Sequence, residues 1–255
     1  MKRKIEHAVE EIIARISEWE SVDTITVVES GEDLYDPYFF ISFDVFLVGA
    51  IPDEDARRAV FSEGVAFEAL QNNRKDRFLL DDIPFRIEYK DVSRFTDIVH
   101  GAKASESLQR DAGTYVFYRL RYARVVYQQS DWLDQVRSDL DSLDDQFWEA
   151  LRASLQASME HSLGDLSAAT VRDDALFFLV SAAGFIRSLC SVLFAVNKRF
   201  EPSGRALLDA VRELPILPDP FLGRFESFLQ SDNASMPPER KREIAELMAR
   251  SVLSL

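Results

Sequence analysis

Residues 39–48 read Phe39-Phe40-Ile41-Ser42-Phe43-Asp44-Val45-Phe46-Leu47-Val48, and the fold turns on how this stretch is read. Its aromatic and β-branched side chains favour a pleated strand. In an extended chain Phe39, Ile41, Phe43, Val45 and Leu47 point to one face, while Phe40, Ser42, Asp44, Phe46 and Val48 point to the other. Asp44 is thus held mid-strand among apolar neighbours. An ionised carboxylate there needs a hydrogen-bond, cationic or metal partner, because desolvating it alone is costly.

Upstream of this strand, Ile5, Val9, Ile12, Ile13, Ile16 and Trp19 recur at helical spacing and predict an amphipathic helix. Thr24-Ile25-Thr26-Val27-Val28 predicts a short strand, and the turn-rich stretch from Glu29 to Pro37 separates it from the next one. Downstream, Pro52 followed by Asp53-Glu54-Asp55 predicts a helix start, with the helix running to about Ser62. A less regular strand around Val65 to Leu70 and a loop at Asn72-Asn73-Arg74-Lys75-Asp76 lead to an alternating strand over Phe85 to Tyr89. That last strand carries Arg86, Glu88 and Lys90 on its polar face. If it neighbours the first, Asp44 and Glu88 converge.

From Ser93 onward the pattern reads as helical. Tyr115, Tyr118, Tyr122, Val125 and Val126 form one apolar stripe; Leu143, Phe147, Ala150, Leu151 and Leu155 form another; Phe177 to Phe194 is nearly continuous. Pro202, Pro215, Pro218 and Pro220 punctuate shorter helices before a last one after Pro237-Pro238. The expected class is α+β, with an α/β domain around a small mixed sheet over residues 1–104 and an all-α bundle over residues 105–255.

Composition narrows the function. The net charge of −14 is concentrated at the start, where residues 1–101 hold 12 Lys and Arg against 22 Asp and Glu. Such a surface repels a phosphate backbone, which opposes non-specific nucleic-acid binding and favours a small substrate or a protein partner. The lone Cys190 lies in an apolar run and can form no intramolecular disulfide, which fits a reducing compartment, and a cytoplasmic location is expected. Ala175 to Val196 carries Arg187 at its centre and polar flanks, which favours a buried helix over a membrane span, with a paired guanidinium. His7, His100 and His161 are scattered without metal-ligand spacing. No phosphate-binding Gly-rich motif, serine-nucleophile elbow or paired-cysteine motif occurs.

A strand, a loop, a strand bearing a carboxylate, a helix and a later carboxylate strand together resemble the nucleotidyltransferase superfamily over roughly Ile5 to Val99. The signature of that family is Gly-Ser after the first strand, two aspartates one residue apart on the next, and a third carboxylate later. Here Glu29-Ser30 or Ser30-Gly31 occupies the Gly-Ser region, Ser42 stands where the first aspartate is expected, Asp44 matches the second, and Glu88 matches the third.

The resemblance implies a site in which Asp44 and Glu88 bind Mg²⁺. A nucleoside monophosphate would pass from a nucleoside triphosphate to a hydroxyl of a small molecule or protein. It also implies substrate contacts at Ser30 and Ser42. A serine hydroxyl is a much weaker Mg²⁺ ligand than a carboxylate, so Ser42 weakens the metal site; Asp33 or Asp36 is a candidate substitute. The alternative is a catalytically inactive binding or scaffold protein on the same fold. Arg74, Lys75 and Arg77 are candidates for phosphate contact, with Lys75 taken as substrate-binding and a solvated basic loop as the rival reading. The region from about Asp173 to Leu229 resembles a helical module that follows some nucleotidyltransferase domains. There Asn197 and Lys198 are either substrate contacts or a helix C-terminus.

Overall fold

The computed structural model describes residues 2–29, 39–61, 66–70, 74–103, 113–230 and 236–255. The chain is α+β and forms two compact units, residues 1–101 with 119–142, and residues 102–118 with 143–255.

In the first unit, the opening amphipathic segment forms α1 (Lys2–Ile16), followed by β1 (Val22–Glu29), β2 (Ile41–Leu47) and α2 (Glu54–Val60). The Asp53 carboxylate caps α2 by accepting a bond of 2.8 Å from the Ala56 amide, which is why the acidic Asp53-Glu54-Asp55 run begins a helix. Then come β3 (Glu68–Leu70), β4 (Lys75–Leu80), β5 (Ile83–Asp91), α3 (Val92–Lys103), the last turn of α4 (Tyr115–Tyr122), β6 (Arg124–Gln128) and α5 (Trp132–Asp141).

The six strands make one mixed sheet in the order β3-β4-β5-β2-β1-β6, with β2 and β5 parallel and every other neighbour antiparallel. The predicted alternation holds on β2: Ile41, Phe43, Val45 and Leu47 join Ala8, Val9, Ile12 and Ile16 of α1 in a single core. On the other face, Phe46 packs against Phe95 of α3 at 5.5 Å and Trp132 of α5 at 4.9 Å between ring centroids. β2 is therefore buried along its whole length.

A buried polar knot ties α2 to the sheet. The Arg57 guanidinium lies 2.9 Å from the Asp76 carboxylate, and the Tyr89 hydroxyl donates to the same carboxylate at 2.7 Å. Arg57 and Asp76 are fully buried. Each is satisfied by the other, so neither leaves an uncompensated charge in the core.

Two elements differ from the sequence reading. The expected loop at Asn72 to Asp76 gives way at Lys75 to β4, because Asp76 and Phe78 point into the core while Lys75, Arg77 and Leu79 point away. The expected helical stripe through Val125 and Val126 ends at Tyr122, and the β-branched pair instead belongs to β6 at the edge of β1. That strand explains why residues 119–142 join the first unit, whereas the sequence boundary lay between residues 104 and 105. A five-residue strand has too few turns of pattern to declare its period.

The second unit is helical: α6 (Asp145–Arg172), α7 (Ala175–Val196), α8 (Leu207–Arg212), α9 (Phe221–Leu229) and α10 (Pro238–Leu253). α6 and α7 form a long hairpin in which the Ser158 and Ser188 hydroxyls bond at 3.1 Å, and a Cβ on Gly184 would stand 3.2 Å from the Ser162 hydroxyl. Their shared core takes in Leu166, Phe185, Leu189, Val192 and Leu193, with Phe225 of α9 and Met248 of α10. By length and composition α7 could cross a membrane, and about half of its most apolar window is buried in the protein. Arg187 is exposed rather than buried, contrary to the expectation of a buried guanidinium: it sits on the outer face of α7, where its charge acts on Glu201.

Candidate functional site

Parallel pairing of β2 and β5 sets Asp44 directly opposite Glu88, Ser42 opposite Arg86 and Phe46 opposite Lys90, all on one face of the sheet. From the antiparallel neighbours, Lys75 of β4 stands opposite Glu88 and Thr26 of β1 opposite Asp44. The two carboxylates and Lys75 are thus brought together by strand register alone.

What surrounds the carboxylates defines the chemistry. Asp44 is fully buried, with the Lys90 ammonium 2.7 Å from Oδ1 and the Arg119 Nε 2.7 Å from Oδ2. Arg119 also donates through Nη2 to the Ser42 hydroxyl at 3.2 Å. Glu88 lies 3.1 Å from Lys75, 2.8 Å from Arg86 and 3.9 Å from Lys90. Two carboxylates are therefore in ion-pair contact with four cations.

The electrostatics agree with that geometry. Burial works to raise the Glu88 carboxyl, but the charges of Lys90, Arg119 and Lys75 outweigh it and hold the group below its ordinary value. Lys90 is pushed down, chiefly by burial and further by Arg119, while the Asp44 charge works to keep its proton on.

A divalent ion does not fit this arrangement. Mg²⁺ needs carboxylate oxygens at about 2.0–2.1 Å, and here both oxygens of Asp44 already carry a fixed cation. Among the described residues no cluster of three or more His, Cys, Asp or Glu could hold a metal. Among the described residues the Thr26 hydroxyl, opposite Asp44 on β1, is buried without a hydrogen-bond partner, while Asp44 Oδ1 faces the Lys90 ammonium.

The remaining candidates divide cleanly. Ser30, Gly31, Asp33 and Asp36 lie outside the described residues. Asn197 caps α7: its Nδ2 donates to the Leu193 carbonyl at 2.8 Å and the Ile216 carbonyl at 2.9 Å, and its Oδ1 accepts from the Ile216 amide at 2.8 Å. Lys198 adopts a left-handed conformation, φ 51°, just past that cap, and its ammonium lies 2.6 Å from Asp145. The helix-terminus reading accounts for these bonds.

Arg119 escaped the sequence reading. It lies 75 residues from Asp44, and the only signal for it was the demand that a buried carboxylate find a partner. Lys90 was visible as a neighbour of Glu88 on β5, but not as a partner of Asp44.

No protein-family model matches the chain, and no curated protein does. Among solved structures, a nucleotidyltransferase-like protein from Exiguobacterium sibiricum is similar, with a TM-score of 0.48 and 12% identity; the match covers 98% of this chain and 74% of that one. So distant a likeness carries nothing about substrate or activity.

Proposed function

We propose that this is a non-catalytic binding protein on a nucleotidyltransferase-like fold, located in the cytoplasm, whose former metal site has become a metal-free cluster that receives an anionic group of a small molecule. The observation that supports it is the double ion pair on Asp44, with Lys90 and Arg119 each 2.7 Å away. Fixed cations supply the neutralisation that a divalent ion gives in a transferase, and they repel such an ion at close range. Among the described residues of this strongly negative chain, four cations meet two carboxylates in this cluster. An approaching phosphate or carboxylate is drawn to it, and Lys75 and Arg86, both partly exposed, are placed to meet it first.

On this reading the reaction implied by the resemblance, transfer of a nucleoside monophosphate from a Mg²⁺-bound triphosphate to a hydroxyl acceptor, does not take place. The test is a set of thermal melts with pyrophosphate or a nucleoside triphosphate, each with Mg²⁺ and with a chelator. Protection should be equal in the two conditions and reduced by Lys75→Met. Ser42→Asp should leave the metal response flat, because the new carboxylate meets the Arg119 guanidinium. Mg²⁺-dependent labelling of any acceptor from a triphosphate, lost in Asp44→Asn, would overturn the reading.

A further inference from the structure

The charged side chains of the candidate site differ in how far they are open to solvent. Those of Asp44, Lys90 and Arg119 are at most 11% exposed, whereas Lys75, Arg86 and Glu88 keep 22%, 26% and 19% of theirs exposed. The second set is within reach of a solute. In it, Lys75 Nζ at 3.1 Å and Arg86 Nη2 at 2.8 Å converge on a single oxygen, Oε1 of Glu88.

A guanidinium presents a side-on edge, Nε together with Nη2, that matches two oxygens of one carboxylate or phosphate. The same sheet shows that edge filled: Arg57 Nε lies 2.9 Å from Asp76 Oδ2, and its Nη2 lies 3.3 Å from Oδ1. On Arg86 the edge is half filled. Nη2 meets Glu88, whereas Nε is buried and, among the described residues, has no hydrogen-bond acceptor. A buried donor left without an acceptor is costly, and an oxygen that reaches it removes the cost. Glu88 is poorly placed to do so, because it is tethered two residues along the same strand and shares its oxygen with Lys75, directly opposite on β4. A free oxyanion has no such tether. The Arg86 guanidinium also lies 5.8 Å from the centre of the Phe40 ring, a contact that helps to hold it in place.

We propose that Glu88 is a built-in competitor at the anion site, holding Lys75 and Arg86 until a ligand carboxylate or phosphate displaces it and takes the side-on edge of Arg86 with two oxygens. The proposal rests on the reading of this cluster as a receiver of anions. A ligand that binds that edge has to replace Glu88 Oε1 at Nη2. Burial works to raise the Glu88 carboxyl, but the surrounding cations hold it below its ordinary value, so it competes as an anion at neutral pH.

Titration calorimetry on the full chain with a chelator present tests this, with inorganic pyrophosphate in one arm and succinate in the other. Glu88→Gln should bind at least one of them about tenfold more tightly than wild type, and the arm that responds says whether the group is a phosphate or a carboxylate. Asp91→Asn, which removes the same charge from the end of β5, should change the affinity by no more than about twofold, since exposed charges act weakly at that range. Arg86→Lys reads the edge without touching Glu88: the charge stays, the paired donors go, and the affinity should fall about tenfold. If wild type binds but Glu88→Gln binds no tighter in either arm, or Asp91→Asn matches its gain, or Arg86→Lys binds as wild type does, the competitor role is overturned and the anion site stands. If neither wild type nor Glu88→Gln binds either probe, the anion site itself fails, and the competitor role with it.

Discussion

Replacing Asp44 with asparagine removes one negative charge and changes almost nothing in shape. The new side-chain amide can still accept one bond through its oxygen, but Lys90 and Arg119, with side chains 11% and 9% exposed, lose the carboxylate that both contact at 2.7 Å. Breaking a buried pair from one side costs about 3–5 kcal/mol, and one retained hydrogen bond returns about 1 kcal/mol. A loss of about 2–4 kcal/mol at pH 7 is expected. Urea unfolding followed by tryptophan fluorescence measures it, because Trp19 and Trp132 belong to the first unit and Trp132 packs on Phe46, two residues along β2 from Asp44.

The pH dependence makes the test specific. Lys90 is already pushed down, by burial first, and the Asp44 charge is what opposes that push. Below its folded-state pKa, Lys90 is protonated in both states and contributes no slope. Between that value and the unfolded value of about 10.4, only the unfolded state holds the proton, so stability rises with pH. Without Asp44 this window opens at a lower pH, and the gap between variant and wild type should narrow as pH rises from about 7 towards about 10. A loss below about 1 kcal/mol that does not vary with pH would refute the buried ion pair.

Other substitutions test other parts of the fold. Burial first, and then the Asp76 carboxylate, push the Tyr89 hydroxyl well above its ordinary value. Its proton therefore favours the folded state below the unfolded pKa of about 10, and that contribution falls away as pH climbs through the folded value. Tyr89→Phe should cost about 1 kcal/mol at neutral pH and flatten the alkaline loss of stability, measured by urea unfolding at several pH values. Asp76→Asn, which leaves the buried Arg57 without an anionic partner, should cost about 3 kcal/mol or more in the same assay. Asn197→Ala should lower stability by about 1–2 kcal/mol while leaving anion-dependent protection unchanged, since the residue clamps the end of α7 to the segment at Ile216.

Much of the site's frame could be read from one dimension. Alternation along Phe39 to Val48 assigns Asp44 to the face opposite Ile41, Phe43 and Val45, and the same period on Phe85 to Tyr89 places Glu88 among Arg86 and Lys90. Local rules also put a helix start at Asp53-Glu54-Asp55 and a helix end near Asn197, because these depend on residues only a few positions apart. Pattern demanded that the Asp44 carboxylate have a partner, but left open whether it was a metal, a cation or a hydrogen-bond donor. Strand register decided that Glu88 is its direct neighbour across β2 and β5. Only tertiary structure delivered Arg119, which reaches Asp44 because β6, too short to announce its period, pairs with β1 and carries the end of α4 back to the first unit. Long-range charge pairing leaves no periodic trace in a sequence, so the two side-chain cations on Asp44 came into view only with the fold.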